Sequence, residues 1–208
     1  MGMIVVSACF AQETRWIARR PGMAVVHTAM GEGAANDLER RWPNGAGVDV
    51  LVATGVCGAA DPGLRTGDLI LADRILHRGE AIAISPELLD RARGASDGFR
   101  VGAAASVDAV AGPEEKRTAR EAGATTVDME SGPLARWARQ HGVGFVALRA
   151  VLDRADESLP FAPNRPIWGG VIRHPIATAR LARRAARAGR AIGRGVDAVV
   201  EQLQEAGT

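Results

Sequence analysis

The chain has 208 residues, of which 47% are hydrophobic and 24% are charged, and its net charge is +2. This length and composition allow one sizeable core, and they predict a single domain over residues 1–208. No stretch approaches the roughly 18 uninterrupted apolar residues of a transmembrane helix, and the N-terminus lacks the pattern of a signal peptide. Cys9 and Cys57 lie in apolar contexts without metal-ligand spacing. We therefore expect a cytoplasmic protein with buried, reduced thiols and no metal site.

Apolar runs alternate along the chain with segments of helical periodicity. The predicted strands cover residues 3–10, 22–31, 48–56, 67–77, 99–107, 124–129 and 143–152. The predicted helices cover residues 32–42, 85–94, 112–123 and 130–142, followed by a long helix rich in Arg and Ala at about 174–205. This alternation predicts an α/β fold with three layers, in which helices flank a central mixed, mostly parallel sheet.

Carboxylates recur at the ends of the predicted strands, where ligands bind in sheets of this kind. Glu13 follows the first strand, Asp128 and Glu130 lie at the junction of a strand and a helix, and Asp153 follows the next strand. Taken singly, these acids could cap helices or end turns. Their shared position at one predicted edge favours a binding cleft. There one acid could protonate a leaving group, and another could accept two hydrogen bonds from a diol such as ribose.

Glycines mark two other predicted strand ends. Gly31 lies in "GEGAAN", and Gly55 and Gly58 lie in "GVCGAA". Glycines at such junctions let a ligand approach the free amides of the backbone, although ordinary turn glycines are an equal alternative. Neither motif is a dinucleotide fingerprint, because Asn36 stands where the third glycine belongs and the second motif has the wrong spacing.

Two long segments resemble the nucleoside phosphorylase and nucleosidase superfamily. They are "VDVLVATGVCGAADPGLRTGDLILAD" and "VDMESGPLARWARQHGVGFVALRAVLDRAD", and they occur in order with Glu13 before them. Within the superfamily, "VDMES", "LRAVLDRADESLP" and the Arg-rich tail look most like the hopanoid-associated phosphorylases, which act on adenosylhopane. The resemblance implies release of adenine from a purine nucleoside in hopanoid biosynthesis. A nucleosidase for methylthioadenosine or adenosylhomocysteine stays open as an alternative, and so does a non-catalytic nucleoside-binding protein.

The resemblance also implies roles for single residues. Asp153 would protonate N7 of the purine, and Glu13 would orient the attacking water in a hydrolytic enzyme. Glu130 would hold the ribose hydroxyls, with Met129 packed against the sugar. The other implied substrate-binding residues are Gly31, Gly55, Val56, Gly58 and Val110. No metal or organic cofactor is implied, and inorganic phosphate is a candidate co-substrate.

The chain departs from the family pattern at three positions. Val56 replaces a common serine, Leu152 replaces a small polar residue, and Val110 replaces an aromatic residue near the base. These changes suit an apolar 5′ substituent, or they weaken nucleoside binding. Glu13 favours water as the nucleophile, whereas the nearer family favours phosphate; both stay open, and the resemblance inclines the expectation toward phosphate.

The C-terminal segment is strongly basic. Between Ser158 and Val196 it has no acid and eight arginines, namely Arg165, Arg173, Arg180, Arg183, Arg184, Arg187, Arg190 and Arg194. Such a helix either packs on the core with a solvated basic face or makes weak contact with an anionic membrane surface. The scarcity of aromatic residues argues against nucleic acid as a partner. The resemblance implies a homo-oligomer, for which we expect a dimer.

Overall fold

A computed structural model of the chain describes residues 2–159 and 175–205. The strands are β1 (Met3–Ala8), β2 (Met23–His27), β3 (Val48–Ala59), β4 (Leu69–His77), β5 (Glu80–Ala83), β6 (Phe99–Ser106), β7 (Thr126–Asp128) and β8 (Gly144–Asp153). The helices are α1 (Ala11–Thr14), α2 (Gly33–Arg41), α3 (Pro86–Gly94), α4 (Pro113–Glu121), α5 (Ser131–Gln140) and α6 (Pro175–Glu205), and a 3-10 turn covers Pro43–Gly45.

The predicted α/β fold is confirmed, with a mixed sheet flanked by helices. Parallel pairs join β1 to β2 and β3, β3 to β8, β4 to β6, and β6 to β7. Antiparallel pairs join β3 to β7, β4 to β5, and β4 to β8. The short strand β5 was not predicted, because four residues carry too little periodicity to stand out.

The strands that surround the site form a closed path. β8 pairs with both β3 and β4, whereas β7 pairs with β6 and with the end of β3, so that β3, β8, β4, β6 and β7 close on one another. Because β7 runs antiparallel to β3, its carboxyl end at Asp128 points back toward the middle of β3. The strands β1, β3 and β8 are parallel, so Glu13 and Asp153 lie at their shared carboxyl edge, as the sequence pattern suggested. Closure of the sheet brings the end of β7, which carries Asp128 and leads to Glu130, to the same edge.

The predicted glycine turn after residue 56 is wrong, because β3 continues to Ala59. Gly55 lies inside this strand with a φ of +136°, a conformation that side chains other than glycine rarely adopt. A Cβ atom at this position would also lie 2.9 Å from Arg149 Nη1 and 3.0 Å from Glu13 Oε1. The glycine therefore lets two charged side chains approach the strand.

Helices cover the sheet through two hydrophobic clusters. One contains Leu38 of α2 and Leu134 of α5, and the other contains Ile192 and Val196 of α6. The exposed arginines of α6 are Arg180, Arg183, Arg187, Arg190 and Arg194. Residue 174 of the predicted helix, together with Arg165 and Arg173, lies outside the described residues. Within residues 2–159 and 175–205, no helix is long and apolar enough to cross a membrane.

Candidate active site

A cavity of about 300 Å³ opens where the strand ends converge. Four carboxylates line it: Glu13 of α1, Asp128 at the end of β7, Glu130 just before α5 and Asp153 at the end of β8. The predicted residues Val56, Gly58, Val110 and Met129 line the same cavity. Gly31 and Gly55 do not line the cavity but adjoin its carboxylates: the Gly31 amide donates a hydrogen bond to Glu130 Oε1, and the missing side chain of Gly55 leaves room for Glu13.

Glu13 is buried and held by two backbone amides. It occupies the first turn of α1, where its Oε2 accepts a hydrogen bond from the Phe10 amide at 2.9 Å. Its Oε1 accepts a second one from the Val56 amide, also at 2.9 Å. Burial raises the pKa of Glu13 above its ordinary value of 4.5, and the two amide bonds only partly oppose this. The carboxylate is thus held by two hydrogen bonds, and its raised pKa makes it a stronger base than a solvated glutamate.

Glu130 is the residue before α5, and its side chain contacts Gly31, which lies between β2 and α2, and Arg149 of β8. Its Oε1 accepts a hydrogen bond from the Gly31 amide at 3.3 Å, and its Oε2 lies 3.8 Å from Arg149 Nη1. Burial raises the pKa of Glu130, Arg149 opposes the shift, and Asp128 adds to it. These contacts leave acceptor positions on both oxygens for the hydroxyl groups of a ligand.

Asp128 supports the site from beneath. Its Oδ1 accepts hydrogen bonds from the amides of Glu130 at 3.1 Å and Ser131 at 2.9 Å, and its Oδ2 accepts one from the Ser131 hydroxyl. Arg149 Nε lies 3.2 Å from the same Oδ2. Asp128 thus fixes the turn that carries Glu130, which is the supporting role that remained open from sequence alone.

Sequence reasoning gave no role to Arg149, which is only 2% exposed. Its Nη1 donates to the Thr54 carbonyl at 2.9 Å, and its Nε and Nη2 donate to Ser131 Oγ at 3.1 and 3.0 Å. Burial alone would lower the pKa of Arg149, but Asp128 and Glu130 outweigh burial and raise it. A lone charge inside the apolar run of residues 143–152 was the available signal, since a buried arginine requires acidic partners.

Replacing Arg149 by Met is expected to destabilise the protein by about 3–5 kcal/mol, because Asp128 and Glu130 would stay buried without their cation. Urea unfolding of both proteins measures the change. The matched control is Arg139→Met, which removes an exposed ion pair with Glu80 at 3.2 Å and should change stability little. Equal stability losses in the two variants would contradict a structural role for the buried network.

Asp153 is 4% exposed, and its Oδ2 accepts a hydrogen bond from Lys116 Nζ. Burial raises the pKa of Asp153 above its ordinary value of 3.8, and the hydrogen bond from Lys116 opposes this shift. Lys116 is a second buried cation that sequence reasoning missed. The available signal was its uniqueness, because it is the only lysine in the chain.

The remaining wall of the cavity is apolar. Phe10 and Met30 line it and are 46% and 36% exposed, so part of this apolar surface faces solvent. The other apolar residues that line it are Val107, Ala109, Ala111, Val127, Leu152, Leu159 and Leu181. Burial raises the pKa of the Cys9 thiol, which also lines the cavity and is therefore a poor nucleophile there.

Comparison with protein families identifies the class. Residues 17–191 match the phosphorylase superfamily, and the chain belongs to that superfamily. No curated protein matches the sequence at a significant level.

Several solved structures resemble this fold over almost the whole chain. A 5′-methylthioadenosine/S-adenosylhomocysteine nucleosidase from Streptococcus pneumoniae, solved with a transition-state inhibitor, has a TM-score of 0.75 and 15% identity, covering 97% of this chain and 99% of its own. The futalosine hydrolase of Helicobacter pylori has a TM-score of 0.75 and 17% identity, covering 96% and 97%. The Helicobacter pylori methylthioadenosine nucleosidase has a TM-score of 0.76 and 17% identity, covering 96% and 98%. At these identities the likeness is one of fold.

Proposed function

We propose that the protein hydrolyses the N-glycosidic bond of a purine nucleoside and releases adenine. The observation that carries this proposal is the convergence of Glu13, Glu130 and Asp153 on one cavity. Breaking such a bond requires a proton for the base, stabilisation of the cationic sugar and a nucleophile, as in O-glycoside cleavage. Three separately held carboxylates meet those three requirements.

Asp153 is assigned to the base and Glu130 to the sugar. A purine leaves readily once N7 is protonated, and burial raises the pKa of the Asp153 carboxyl toward the range of a general acid. Glu130 accepts hydrogen bonds from the 2′ and 3′ hydroxyls, and these bonds strengthen as positive charge develops on the ribose. Belonging to the phosphorylase superfamily supports this assignment.

Charge around the nucleophile favours water over phosphate. Among the described residues, the cations that line the cavity are Arg149 and Lys116. Arg149 already bonds Thr54 and Ser131, and Lys116 already bonds Asp153. A phosphate dianion would instead meet Glu13 and Glu130, whereas a water molecule could give its proton to Glu13.

The apolar wall favours a nucleoside with an apolar 5′ substituent. Phe10 and Met30 form exposed apolar surface at the cavity, and Leu152 and Val110 replace more polar or aromatic residues of the family pattern. Covering this surface with an apolar group is favourable by about 25 cal/mol per Å². Adenosylhopane is therefore the first substrate to test, and methylthioadenosine is the alternative with a small apolar substituent.

The test is to incubate the purified protein with adenosylhopane, methylthioadenosine or adenosine, with and without inorganic phosphate, and to quantify adenine and the sugar product. We expect adenine release that does not depend on phosphate, a free reducing sugar as the second product, and a lower KM for the apolar 5′ substituents. Oxygen-labelled water should place its label on C1′ of that sugar.

Other outcomes separate the competing functions. Release only in the presence of phosphate, with a sugar 1-phosphate as product, would overturn hydrolysis and remove the role of Glu13 as a base. Tight nucleoside binding without release would favour a binding protein. A rate that falls as the 5′ substituent becomes more apolar would contradict the substrate class.

A further inference from the structure

Lys116 is the only lysine of the chain, and it is one of its most deeply buried side chains. It lies on α4 with 1% of its surface exposed, whereas Glu115 and Arg117 beside it are exposed. Lysine is almost never fully buried unless it is paired, because removing an ammonium group from water is costly. A lysine at this depth therefore needs a specific partner.

The partners of Lys116 hold its ammonium group against the proposed general acid. Nζ donates to the Asp153 carboxylate, to the Arg154 carbonyl at 2.8 Å and to the Glu157 carbonyl at 2.7 Å. Three acceptors match the three N–H bonds of an ammonium group. The side chain passes beside Gly58, where a Cβ atom would lie 2.9 Å from Lys116 Cε. The glycine predicted as part of the nucleoside site thus makes room for this lysine.

Other charged groups around Asp153 are few, and they are themselves paired. The charge of Glu157 acts to raise the pKa of Asp153, and Arg184 of α6 pairs with Glu157 through hydrogen bonds of 2.7 and 2.9 Å. Cys57 also lies within electrostatic range, and burial raises the pKa of its thiol, which keeps it neutral. Lys116 is therefore the ionisable group in direct contact with the Asp153 carboxylate, and a proton can pass between them along that hydrogen bond.

We propose that Lys116 supplies, through Asp153, the proton that reaches N7 of the leaving purine. The proposal rests on the proposed function. The ammonium group of Lys116 passes one proton to the Asp153 carboxylate, and the carboxyl group so formed donates it to N7. The electron pair of the bond between C1′ and N9 goes to the purine, water adds to C1′, and the water proton goes to Glu13. Lys116 ends as a neutral amine, which solvent reprotonates before the next turnover while Glu13 releases its proton.

The pH dependence of kcat in a variant without the lysine distinguishes proton supply by Lys116 from two other roles. If Lys116 supplies the proton, Lys116→Met leaves Asp153 as the only acid, so the alkaline limb of kcat moves to lower pH. If Lys116 only lowers the pKa of Asp153, the same substitution raises that pKa and moves the limb to higher pH. A purely structural lysine leaves the limb where it is.

The conservative variant Lys116→Arg separates charge from proton supply. Arginine keeps a cation beside Asp153, but it does not lose its proton in proteins. We expect kcat of both variants to fall about 10²-fold, the lower end of general acid catalysis, with KM nearly unchanged. Rescue by arginine to the wild-type rate would overturn the proposal.

A measurement without substitution avoids variants that fold poorly. Because the chain has one lysine, lysine labelled at Nζ gives a single side-chain nitrogen signal in the NMR spectrum of the untagged protein. We expect this signal to titrate at the pH of the alkaline limb of kcat. A lysine that stays protonated well above that limb would overturn the proposal. Adenine release by the wild-type protein tests the proposed function by itself, so a failure of the lysine proposal is distinguishable from a failure of the proposed function.

Discussion

Replacing Asp153 by Asn is expected to lower kcat for adenine release by about 10²–10⁴-fold, the usual contribution of general acid catalysis. Asparagine has nearly the same volume, and its oxygen can still accept the hydrogen bond from Lys116, so the fold and nucleoside binding should persist. Its amide cannot pass a proton to N7. The comparison requires kcat from initial rates and a Kd for adenine from calorimetry.

The matched control for this change is Asp156→Asn. Asp156 is exposed and pairs with Arg154 at 3.1 Å, three residues beyond the proposed acid. We expect this variant to keep wild-type kcat and Kd. If Asp153→Asn also kept its rate, the carboxyl group would not be the acid, and the role of Lys116 would fall with it.

Replacing Glu13 by Gln is expected to lower kcat by a similar factor, about 10²–10⁴-fold, because the variant has no base for the attacking water. Glutamine offers one oxygen to the two amides of Phe10 and Val56, so one of them loses its acceptor. Since the pKa of Glu13 is raised above 4.5, the wild-type rate should fall as the pH drops through that raised value. This acid limb of kcat should be absent from the residual activity of the variant.

Glu13 also accepts a hydrogen bond from a backbone amide at the start of its helix, and Glu115→Gln is the control for losing such a bond. Glu115 accepts a hydrogen bond from the Gly112 amide at 3.0 Å, and it occupies in α4 the position that Glu13 occupies in α1. Its side chain is exposed. A small loss of stability with unchanged kcat is expected. A Glu13→Gln variant as active as this control would mean that another group activates the water.

Much of the fold was predictable because it rests on local periodicity. Residues 99–107 and 143–152 form strands within a residue or two of the predicted bounds, since continuous apolar runs suit strands covered on both faces. The acids Glu13, Glu130 and Asp153 follow such runs, and the rule that ligands meet strand ends singled them out. Their assignments in catalysis remain predictions.

The pairing partners were not predictable in the same way. Gly55 and Gly58 looked like a turn, yet β3 continues through them and pairs with β7 and β8 at its end. How far a strand continues depends on its pairing with strands that are distant in sequence, and local residue patterns do not reveal that pairing. For the same reason, the antiparallel pairing of β7 with β3 could not be predicted from the three residues of β7.

The sequence by itself determined the alternating α/β order and the carboxylates at the strand ends, because both follow from short-range patterns of apolar and polar residues. Only the tertiary structure decided which cations meet those carboxylates. Arg149 and Lys116 become partners of Asp128, Glu130 and Asp153 through contacts between separate elements, formed when the sheet closes. Burial makes these contacts important, because a charge that is removed from water without a partner is energetically costly. The buried charges therefore occur in pairs, and these pairs include the carboxylates that we assign to the chemistry.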